Sequence, residues 1–343
     1  MLTATNFDRI MDSTYRKEIP GVIMAVANET EQIIGARGNL SPQSQYFIAS
    51  ATKLYVTALI LQLIDSKLIK LEDRIVNLFP HNSFRSLHVI AGNDFTHEIT
   101  VEHLLSHTSG LPDYFQAKHN AKSSLLEQVI SGQDQNWNLI RVLNDAKELG
   151  AVFSPGSGRA LYSDTNFQIL GAIIEKITET NLANAIQNQL CQRIGLTNTY
   201  LYQDEADTRP APLNYKSAVL KVPKAMTSFG ADGGIVSTAQ DGIDFLKSFF
   251  AGQLFDESHL SYITAHWRKI FFPLKYGVGI SLFRLPWFFS PFKRAPDLIG
   301  HSGLSGTLLF YCPANRLYLS GTVNQTSHPE ASFRMMVKSV TTD

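Results

Sequence analysis

The sequence predicts an α/β protein in which an antiparallel sheet is built from both chain ends and flanked by helices, with a large, mostly helical domain inserted between them. Three patterns predict this class: a strand pair near the N-terminus, strand-like segments near the C-terminus, and helical periodicity over the long region between them. We place the sheet domain at 1–48 and 268–343, the helical domain at 49–267, and the functional site at their interface.

The N-terminal hairpin is predicted from GVIMAVANETEQIIGARGNL, where apolar runs flank a polar turn at Asn28–Glu31. The residues before it are polar and charged, and the first apolar run, Gly21–Ala27, is too short for a signal peptide or a membrane span. We therefore expect a cytoplasmic protein without a membrane span, unless an export signal has been removed.

Helical patterns dominate from Ser50 to about Leu246 and include ITVEHLLSH, SLLEQVISG and NFQILGAIIEKITET. Strands return in KYGVGISLF, GTLLFYC and RLYLSGTVNQ, with a turn at Pro313–Asn315 between the last two, and a final helix starts near Pro329. Strands from both chain ends are expected to pair in one sheet. The aromatic stretch Trp287–Phe292 is expected either to pack in the core or to act as a lid over an acyl pocket.

Composition indicates a soluble globular protein, because 44% of the 343 residues are hydrophobic, which is ample for a core. Thirty basic residues balance thirty acidic ones, so nothing indicates nucleic acid or an anionic membrane as a partner. Cys191 and Cys312 are isolated in the sequence and form no CxxC pattern. We expect two buried free thiols; a single disulfide is the alternative.

The candidate nucleophile is Ser50, in the tetrapeptide Ser-Ala-Thr-Lys that precedes the apolar helical run Leu54–Ile64. Residues at i and i+3 share a helix face, so the Ser50 hydroxyl and the Lys53 amine can meet. Partial burial near a helix N-terminus favours a neutral amine that can take the serine proton, and the same N-terminus can stabilise an oxyanion. The alternative is an N-cap serine and a snorkelling lysine. The pattern recurs at Ser290–Lys293, where nearby prolines disfavour a helix.

Two later segments, Tyr162-Ser163-Asp164 and His301-Ser302-Gly303, complete a set of three. Together they are similar to the ordered Ser-x-x-Lys, Tyr-x-Asn and His-x-Gly motifs of the serine β-lactamase and penicillin-binding-protein superfamily, especially its class C β-lactamase, DD-peptidase and esterase branch. The segments LLSHTSGLPDY and GADGGIVSTAQD also resemble this family. The resemblance extends from about Gly21 to Gln325 and implies a β-lactamase/transpeptidase-like fold.

The resemblance also implies an acyl-enzyme mechanism. Ser50 would attack a carbonyl carbon while Lys53 and the Tyr162 phenol transfer protons. The backbone N–H groups of Ser50 and Leu304 would form the oxyanion hole. The alternative for Tyr162 is a packed aromatic side chain with a satisfied hydroxyl.

The third motif is expected to bind substrate. His301 and Ser302 would face the substrate from the sheet edge, and Gly303 would let it approach the strand closely. A neutral imidazole holds a substrate carboxylate less firmly than the lysine often found at this position in the family, although some DD-peptidases also use histidine there. The alternative for His301 is a hydrogen-bonded strand residue.

Asp164 departs from the asparagine of the family motif. A carboxylate can only accept hydrogen bonds, so donation to a substrate acylamide is lost. It also favours the ammonium form of Lys53, which shifts the role of base toward Tyr162. We expect a preference for esters or a specialised acyl substrate. The alternative is that Asp164 caps a helix beginning at Thr165.

Three competing classes are less well supported by the sequence. A metal enzyme is suggested by His97, His103 and His107, but the zincin pattern His-Glu-x-x-His is absent. An α/β-hydrolase would need a Gly-x-Ser-x-Gly elbow, which is also absent. A non-catalytic penicillin-binding relative would be expected to lose one of the three catalytic side chains.

The sequence therefore predicts a serine hydrolase acting on a small ester, amide or peptide, most simply an esterase or amidase, with no cofactor and no metal. β-Lactamase activity, a D-stereospecific DD-peptidase or aminopeptidase activity, and acyl transfer are the alternatives, because they share the first half-reaction. The oligomeric state stays open.

Overall fold

The computed structural model describes residues 2–80, 83–118, 122–286 and 295–342. The predicted aromatic stretch 287–292 and the second Ser-x-x-Lys pattern at 290–293 lie outside the described residues. The strands within the described residues are β1 Gly21–Ala27, β2 Gln32–Gly38, β3 Tyr46–Phe47, β4 Val89–Ile90, β5 Asn93–Asp94, β6 Tyr200–Leu201, β7 Asn214–Tyr215, β8 Ala218–Val219, β9 Ile235–Ser237, β10 Arg268–Phe271, β11 Leu274–Tyr276, β12 Ser281–Phe283, β13 Leu298–Ser302, β14 Thr307–Cys312 and β15 Leu317–Thr322.

Helices cover both faces of the main sheet. Most of them lie, in chain order, between its N-terminal and C-terminal strands. They are α1 Ala4–Thr14, α2 Thr52–Asp65, α3 Ile75–Leu78, α4 Val101–Leu105, α5 Leu125–Ile130, α6 Leu139–Leu149, α7 Asp164–Thr178, α8 Leu182–Ile186, α9 Gln192–Ile194, α10 Pro223–Ser228, α11 Ala239–Phe250, α12 Ser258–Ile263 and α13 Glu330–Thr341. A π-helical turn, Gln187–Cys191, joins α8 to α9, and short 3₁₀ turns occupy Ala49–Ala51, Thr96–Glu98 and Gly230–Asp232.

The main sheet has eight strands in the order β10-β11-β12-β13-β14-β15-β1-β2, and each neighbouring pair is antiparallel. Strand β1 pairs with β15 from the other end of the chain, with Ile23 opposite Thr322 and Ala27 opposite Tyr318. The prediction of one sheet built from both chain ends is therefore confirmed, as are the N-terminal hairpin and the final helix, α13.

Strand β1 is apolar and buried throughout because both faces of the sheet are covered. Its even-numbered residues, from Val22 to Val26, pack with α1 and α13, and its odd-numbered residues, from Ile23 to Ala27, pack in the larger core that includes α2 and α11. Helix α11 belongs to the inserted segment and yet packs on the sheet: a Cβ on Gly242 would lie 2.2 Å from Ser320 Oγ. The larger core is thus continuous between the sheet and the helices.

The C-terminal strands differ from prediction in one respect. KYGVGISLF was predicted as a single strand, but it forms β11 and β12 around a turn in which Gly277 N–H donates to the Ile280 carbonyl at 2.8 Å. Gly279 has a φ of +73° and approaches helix α2 so closely that a Cβ would lie 2.2 Å from Thr57 Oγ1. Packing against α2 therefore divides the apolar run.

Both cysteines are buried free thiols, as expected. Within the described ranges, no helix has the length and apolar character needed to cross a membrane.

Candidate active site

Ser50 lies in the 3₁₀ turn Ala49–Ala51, immediately before α2, rather than in the helix itself. The preceding residue, Ala49, has a φ of +47°, a backbone conformation that non-glycine residues rarely adopt. Two contacts hold the segment that leads to it: Ile48 N–H donates to the Ile235 carbonyl at 3.0 Å, and Ser305 Oγ donates to the Phe47 carbonyl at 2.8 Å. Strained backbone of this kind persists where its surroundings hold it, and it is common at catalytic sites.

Lys53, in the first turn of α2, is fully buried. Its Nζ lies 2.7 Å from Asp164 Oδ1 and donates to the backbone carbonyl of Asp232 at 2.6 Å. The Tyr162 ring centroid is 5.1 Å from the same atom. An ammonium is compatible with this buried position because the carboxylate offsets its charge.

Asp164 is the first residue of α7, and the N-cap is Ser163, which makes no side-chain capping bond. The alternative that Asp164 caps a helix beginning at Thr165 is therefore wrong. Its carboxylate pairs with Lys53 instead. The expected proximity of a carboxylate to Lys53 is confirmed.

Tyr162 is half-buried, but its hydroxyl oxygen is buried near the Ser50 hydroxyl, without a well-aligned hydrogen bond. Burial raises the pKa of the Tyr162 phenol well above its usual value, the charge of Asp164 adds to the increase, and the Ser50 hydroxyl partly offsets it. The phenol is therefore held in its neutral form. The sequence predicted that Asp164 shifts the role of base toward Tyr162. A phenolate base is disfavoured, because the raised pKa keeps the phenol protonated.

His107 lies directly behind Tyr162 and contacts both of its chain neighbours. The His107 carbonyl accepts the Leu161 N–H at 2.9 Å, and His107 Nδ1 accepts the Ser163 N–H at 3.2 Å. The imidazole and Tyr162 ring centroids are 4.5 Å apart. Asn166 Nδ2 lies 3.1 Å from the same Nδ1, which assigns the ring proton to Nε2. Burial lowers the pKa of His107 well below its usual value, so this anchor is neutral.

Sequence reasoning considered His107 only as a metal ligand. It occurs in LLSHTSGLPDY, a segment already similar to the family, so this segment could have indicated it. Of the other two candidate histidines, His103 caps the start of α4 and His97 is exposed. No group of three or more potential metal-binding side chains occurs among the residues that the structure describes.

His301 lies on β13, and both of its ring nitrogens are engaged. Tyr276 Oη lies 3.1 Å from Nε2, and Nδ1 lies 2.7 Å from the Ser302 carbonyl. This arrangement fits a neutral ring with its proton on Nδ1. Burial, assisted by the charge of Lys53, lowers the pKa of His301 to about 3. The imidazole therefore carries no positive charge at neutral pH.

His301 was expected at the edge of the sheet, and this is true only of the end of its strand. Strand β13 is an interior strand as far as Gly300, which pairs with Ser281 of β12. Beyond it, His301 and Ser302 pair only with β14. The end of β13 thus leaves one side of its backbone free toward the cleft.

Ser50 and Leu304, whose N–H groups were expected to form an oxyanion hole, line the same two clefts. Neither Ser50 N–H nor Leu304 N–H donates a backbone hydrogen bond within the described ranges. They are brought together by Gly303, at which a Cβ would lie 2.4 Å from the Ile48 carbonyl oxygen and 3.0 Å from Ala49 Cβ. Gly303 was predicted to admit the substrate; the structure shows that its missing side chain admits the Ser50 turn.

Two clefts meet at Ser50, and both are also lined by Gln116 and Leu304. The first, here named the apolar cleft, is lined mainly by Phe47, Phe115, Leu126, Val129, Ile130, Leu213, Leu220, Met226 and Phe229, with Asp164 and Asp232 beside Ser50. The second, named the strand cleft, is lined by Tyr162, Phe271, Tyr276, His301, Ser302 and Gly303 among others. A carbonyl at Ser50 would therefore border both clefts.

This arrangement places all the sequence-predicted site residues in one region, and it agrees with the comparison to known proteins. The beta-lactamase family profile matches residues 4–336. The chain belongs to the beta-lactamase family.

Similar sequences in this family include a putative D-alanyl-D-alanine carboxypeptidase of Escherichia coli (strain K12), which is 24% identical over 318 residues that cover 83% of this chain and 70% of the relative. Similar solved structures include the D-amino acid amidase from Ochrobactrum anthropi SV3 complexed with L-phenylalanine, with a TM-score of 0.80, 19% identity and 98% of each chain covered. EstCE1, described as a hydrolase with promiscuous acyltransferase activity, has a TM-score of 0.79, 16% identity and 98% of each chain covered. The predicted fold class is confirmed.

Within this beta-lactamase-family site, two buried carboxyl groups were not predicted from sequence. Asp232 Oδ2 accepts hydrogen bonds from Tyr114 Oη at 2.8 Å and Gln168 Nε2 at 3.0 Å. Asp113 Oδ1 accepts hydrogen bonds from the backbone N–H groups of Phe115 and Gln116. Burial raises the pKa of Asp113 to about 7 and that of Asp232 well above its usual value, and in both cases the charge of Asp164 adds to the increase.

Proposed function

We propose that this protein is a serine hydrolase that forms an acyl-Ser50 intermediate from a small ester or amide. The observation that carries the proposal is the position of Ser50, which lies against Tyr162 at the junction of two clefts and beside the two unbonded N–H groups. Amidase and esterase activities in the names of structurally similar proteins support the same reaction class.

The acylation step follows from this geometry. Ser50 Oγ bonds to the substrate carbonyl carbon while the carbonyl oxygen takes negative charge against the Ser50 and Leu304 N–H groups. The serine proton leaves through the neutral Tyr162 phenol toward the Lys53–Asp164 pair, whose carboxylate can accept it. Return of this proton to the departing alcohol or amine completes acylation, and water then releases the acid by the reverse relay.

Carboxypeptidase or β-lactamase activity is supported less well, because a substrate carboxylate lacks a cation to bind. Among the described residues that line the two clefts there is no lysine or arginine. The only histidine among those lining residues, His301, is neutral with both nitrogens engaged. We therefore favour a neutral or cationic ester or amide.

The proposal is tested with p-nitrophenyl butyrate. We expect Ser50→Ala to abolish Ser50-dependent turnover, a loss of at least about 10³-fold, because the covalent intermediate cannot form. Ser131→Ala, on an exposed residue, is the matched control and should retain wild-type turnover. Equal rates in wild type and Ser50→Ala would contradict the proposal, whereas a mass increase equal to the butyryl group on wild type alone would support it directly.

A further inference from the structure

Three buried carboxyl groups surround a single buried cation. Asp113, Asp164 and Asp232 are 7%, 6% and 1% exposed, and Lys53 is fully buried. Lys53 balances one negative charge through its pairing with Asp164. The remaining two carboxyl groups have no cationic partner among the described residues, so acidic groups outnumber cations in this region.

Part of this acidic surface faces the apolar cleft. Asp164 and Asp232 both line the cleft beside Ser50. Asp232 Oδ1 is buried and has no hydrogen-bond partner within the described part of the chain. Asp164 Oδ1 is also buried, and its contact with Lys53 Nζ at 2.7 Å is an ion pair without a well-aligned hydrogen bond from a described residue. Leaving such buried oxygens unpaired is costly, so a ligand that donates to them gains binding free energy.

The rest of the apolar cleft selects the other part of the ligand. Its walls are aromatic and aliphatic, so they favour an apolar group on the substrate. Asp164 lines this cleft together with Ser50, and a carboxylate cannot donate a hydrogen bond to a substrate. A substrate group that forms a hydrogen bond with the Asp164 carboxylate must therefore be the donor.

We propose that the substrate of Ser50 carries a primary amine next to its scissile carbonyl, held as an ammonium by Asp164 and Asp232, with an apolar side chain in the apolar cleft. Esters or amides of apolar α-amino acids are the chemical class that meets these requirements. This inference rests on the proposed acyl-Ser50 hydrolysis. The raised pKa values of Asp113 and Asp232 agree with it, because protons now offset the charge that a bound ammonium would offset instead.

The test compares two esters that differ only in the amine, phenylalanine methyl ester, in both enantiomers, and methyl 3-phenylpropanoate. We expect wild-type kcat/KM to be at least about tenfold higher for one phenylalanine enantiomer, the size expected for a charge-assisted hydrogen bond. Asp164→Asn should lower this ratio at least about tenfold. The ratio within one protein is informative even if the variant is slower overall, because a disturbed Lys53 slows both esters.

The outcomes separate the two proposals. A wild-type ratio near one, with Ser50-dependent hydrolysis of both esters, overturns amine recognition and leaves the hydrolase proposal standing. A ratio that is unchanged in both Asp164→Asn and Asp232→Asn also overturns it. Absence of Ser50-dependent turnover of the methyl esters and of p-nitrophenyl butyrate overturns both. If Asp164→Asn does not fold, amine recognition is judged from the ratio of kcat/KM for the two esters in wild type and in Asp232→Asn.

Discussion

Asp113 is buried within electrostatic reach of Asp164 and Lys53, and this neighbourhood sets its protonation. Its Oδ1 accepts the N–H groups of Phe115 and Gln116 at 2.8 and 3.0 Å, which favour the carboxylate, but burial and the charge of Asp164 outweigh them. The pKa therefore rises to about 7 in the folded protein, against about 3.9 for an exposed aspartate. Protein stability is thus linked to pH at this residue.

The sign of the linkage follows from proton binding. Between about pH 4 and about pH 7 the folded state keeps a proton on Asp113 that the unfolded chain releases. Its contribution to the free energy of unfolding is therefore present at low pH and is lost as pH rises through this window. Asp113→Asn keeps an oxygen for both N–H groups and removes the titration.

We expect Asp113→Asn to gain thermal stability relative to wild type by several degrees when the pH is raised from 5 to 8. The measurement is the melting temperature of both proteins by circular dichroism at the two pH values. Asp204→Asn, on an exposed aspartate, serves as the control. Parallel pH dependences in wild type and Asp113→Asn would show that Asp113 does not titrate between these pH values.

At the scale of elements, the loop before α7 needs an anchor, because Leu161, Tyr162 and Ser163 belong to no helix or strand. His107, just after α4, provides it through bonds to the residues on both sides of Tyr162 and through ring contact. The φ of His107 is +57°, which places its carbonyl and its ring toward the same loop. The Ser163 N–H of this loop needs a hydrogen-bond acceptor, and the neutral His107 ring provides one at Nδ1.

We expect His107→Ala to lower kcat about 10- to 100-fold with little change in KM, because the phenol loses its fixed position while both clefts persist. His107→Asn should recover much of this loss, since its amide oxygen can accept the Ser163 N–H and asparagine tolerates positive φ. The readouts are kcat and KM for p-nitrophenyl butyrate, with melting temperatures as a check on folding. Equal losses in the two variants, or a loss confined to KM, would contradict a positioning role for His107.

At the scale of the whole molecule, the site depends on contact between distant parts of the chain. The turn after β13, at Gly303, packs on the backbone before Ser50, and Ser305 and Thr307 both donate to the Phe47 carbonyl. The same two regions are held by the sheet, in which β1 pairs with β15. Ser50 and the turn that carries Leu304 therefore meet because the two chain ends share a sheet.

We expect Gly303→Ala to lower kcat/KM for p-nitrophenyl butyrate at least about tenfold, because a Cβ 2.4 Å from the Ile48 oxygen must push Leu304 away from Ser50. Gly233→Ala is the matched control on the other side of the Ser50 turn, since its Cβ would make ordinary contacts, 3.7 Å from the backbone of Ala49. Similar activity in the two variants would argue against a close-packing requirement at Gly303.

The sequence by itself predicted most of the main elements and the candidate reacting groups. The apolar run Leu54–Ile64 was predicted to be helical, and it lies in α2, most of whose residues are buried. The sheet followed from strand-like segments at both chain ends. Three motifs in order singled out Ser50, Lys53 and Tyr162. These signals are local, since each depends on residues within a few positions of one another.

Only the tertiary structure decided the charge states and the support of the site. The carbonyl that accepts from Lys53 is 179 residues away, at Asp232, and the residue that anchors the Tyr162 loop was visible in sequence only as a histidine without a role. The apolar run at 275–283 is split by packing against α2, which no local pattern records. Burial and long-range electrostatics depend on which distant segments meet, so they arise only when the chain has folded.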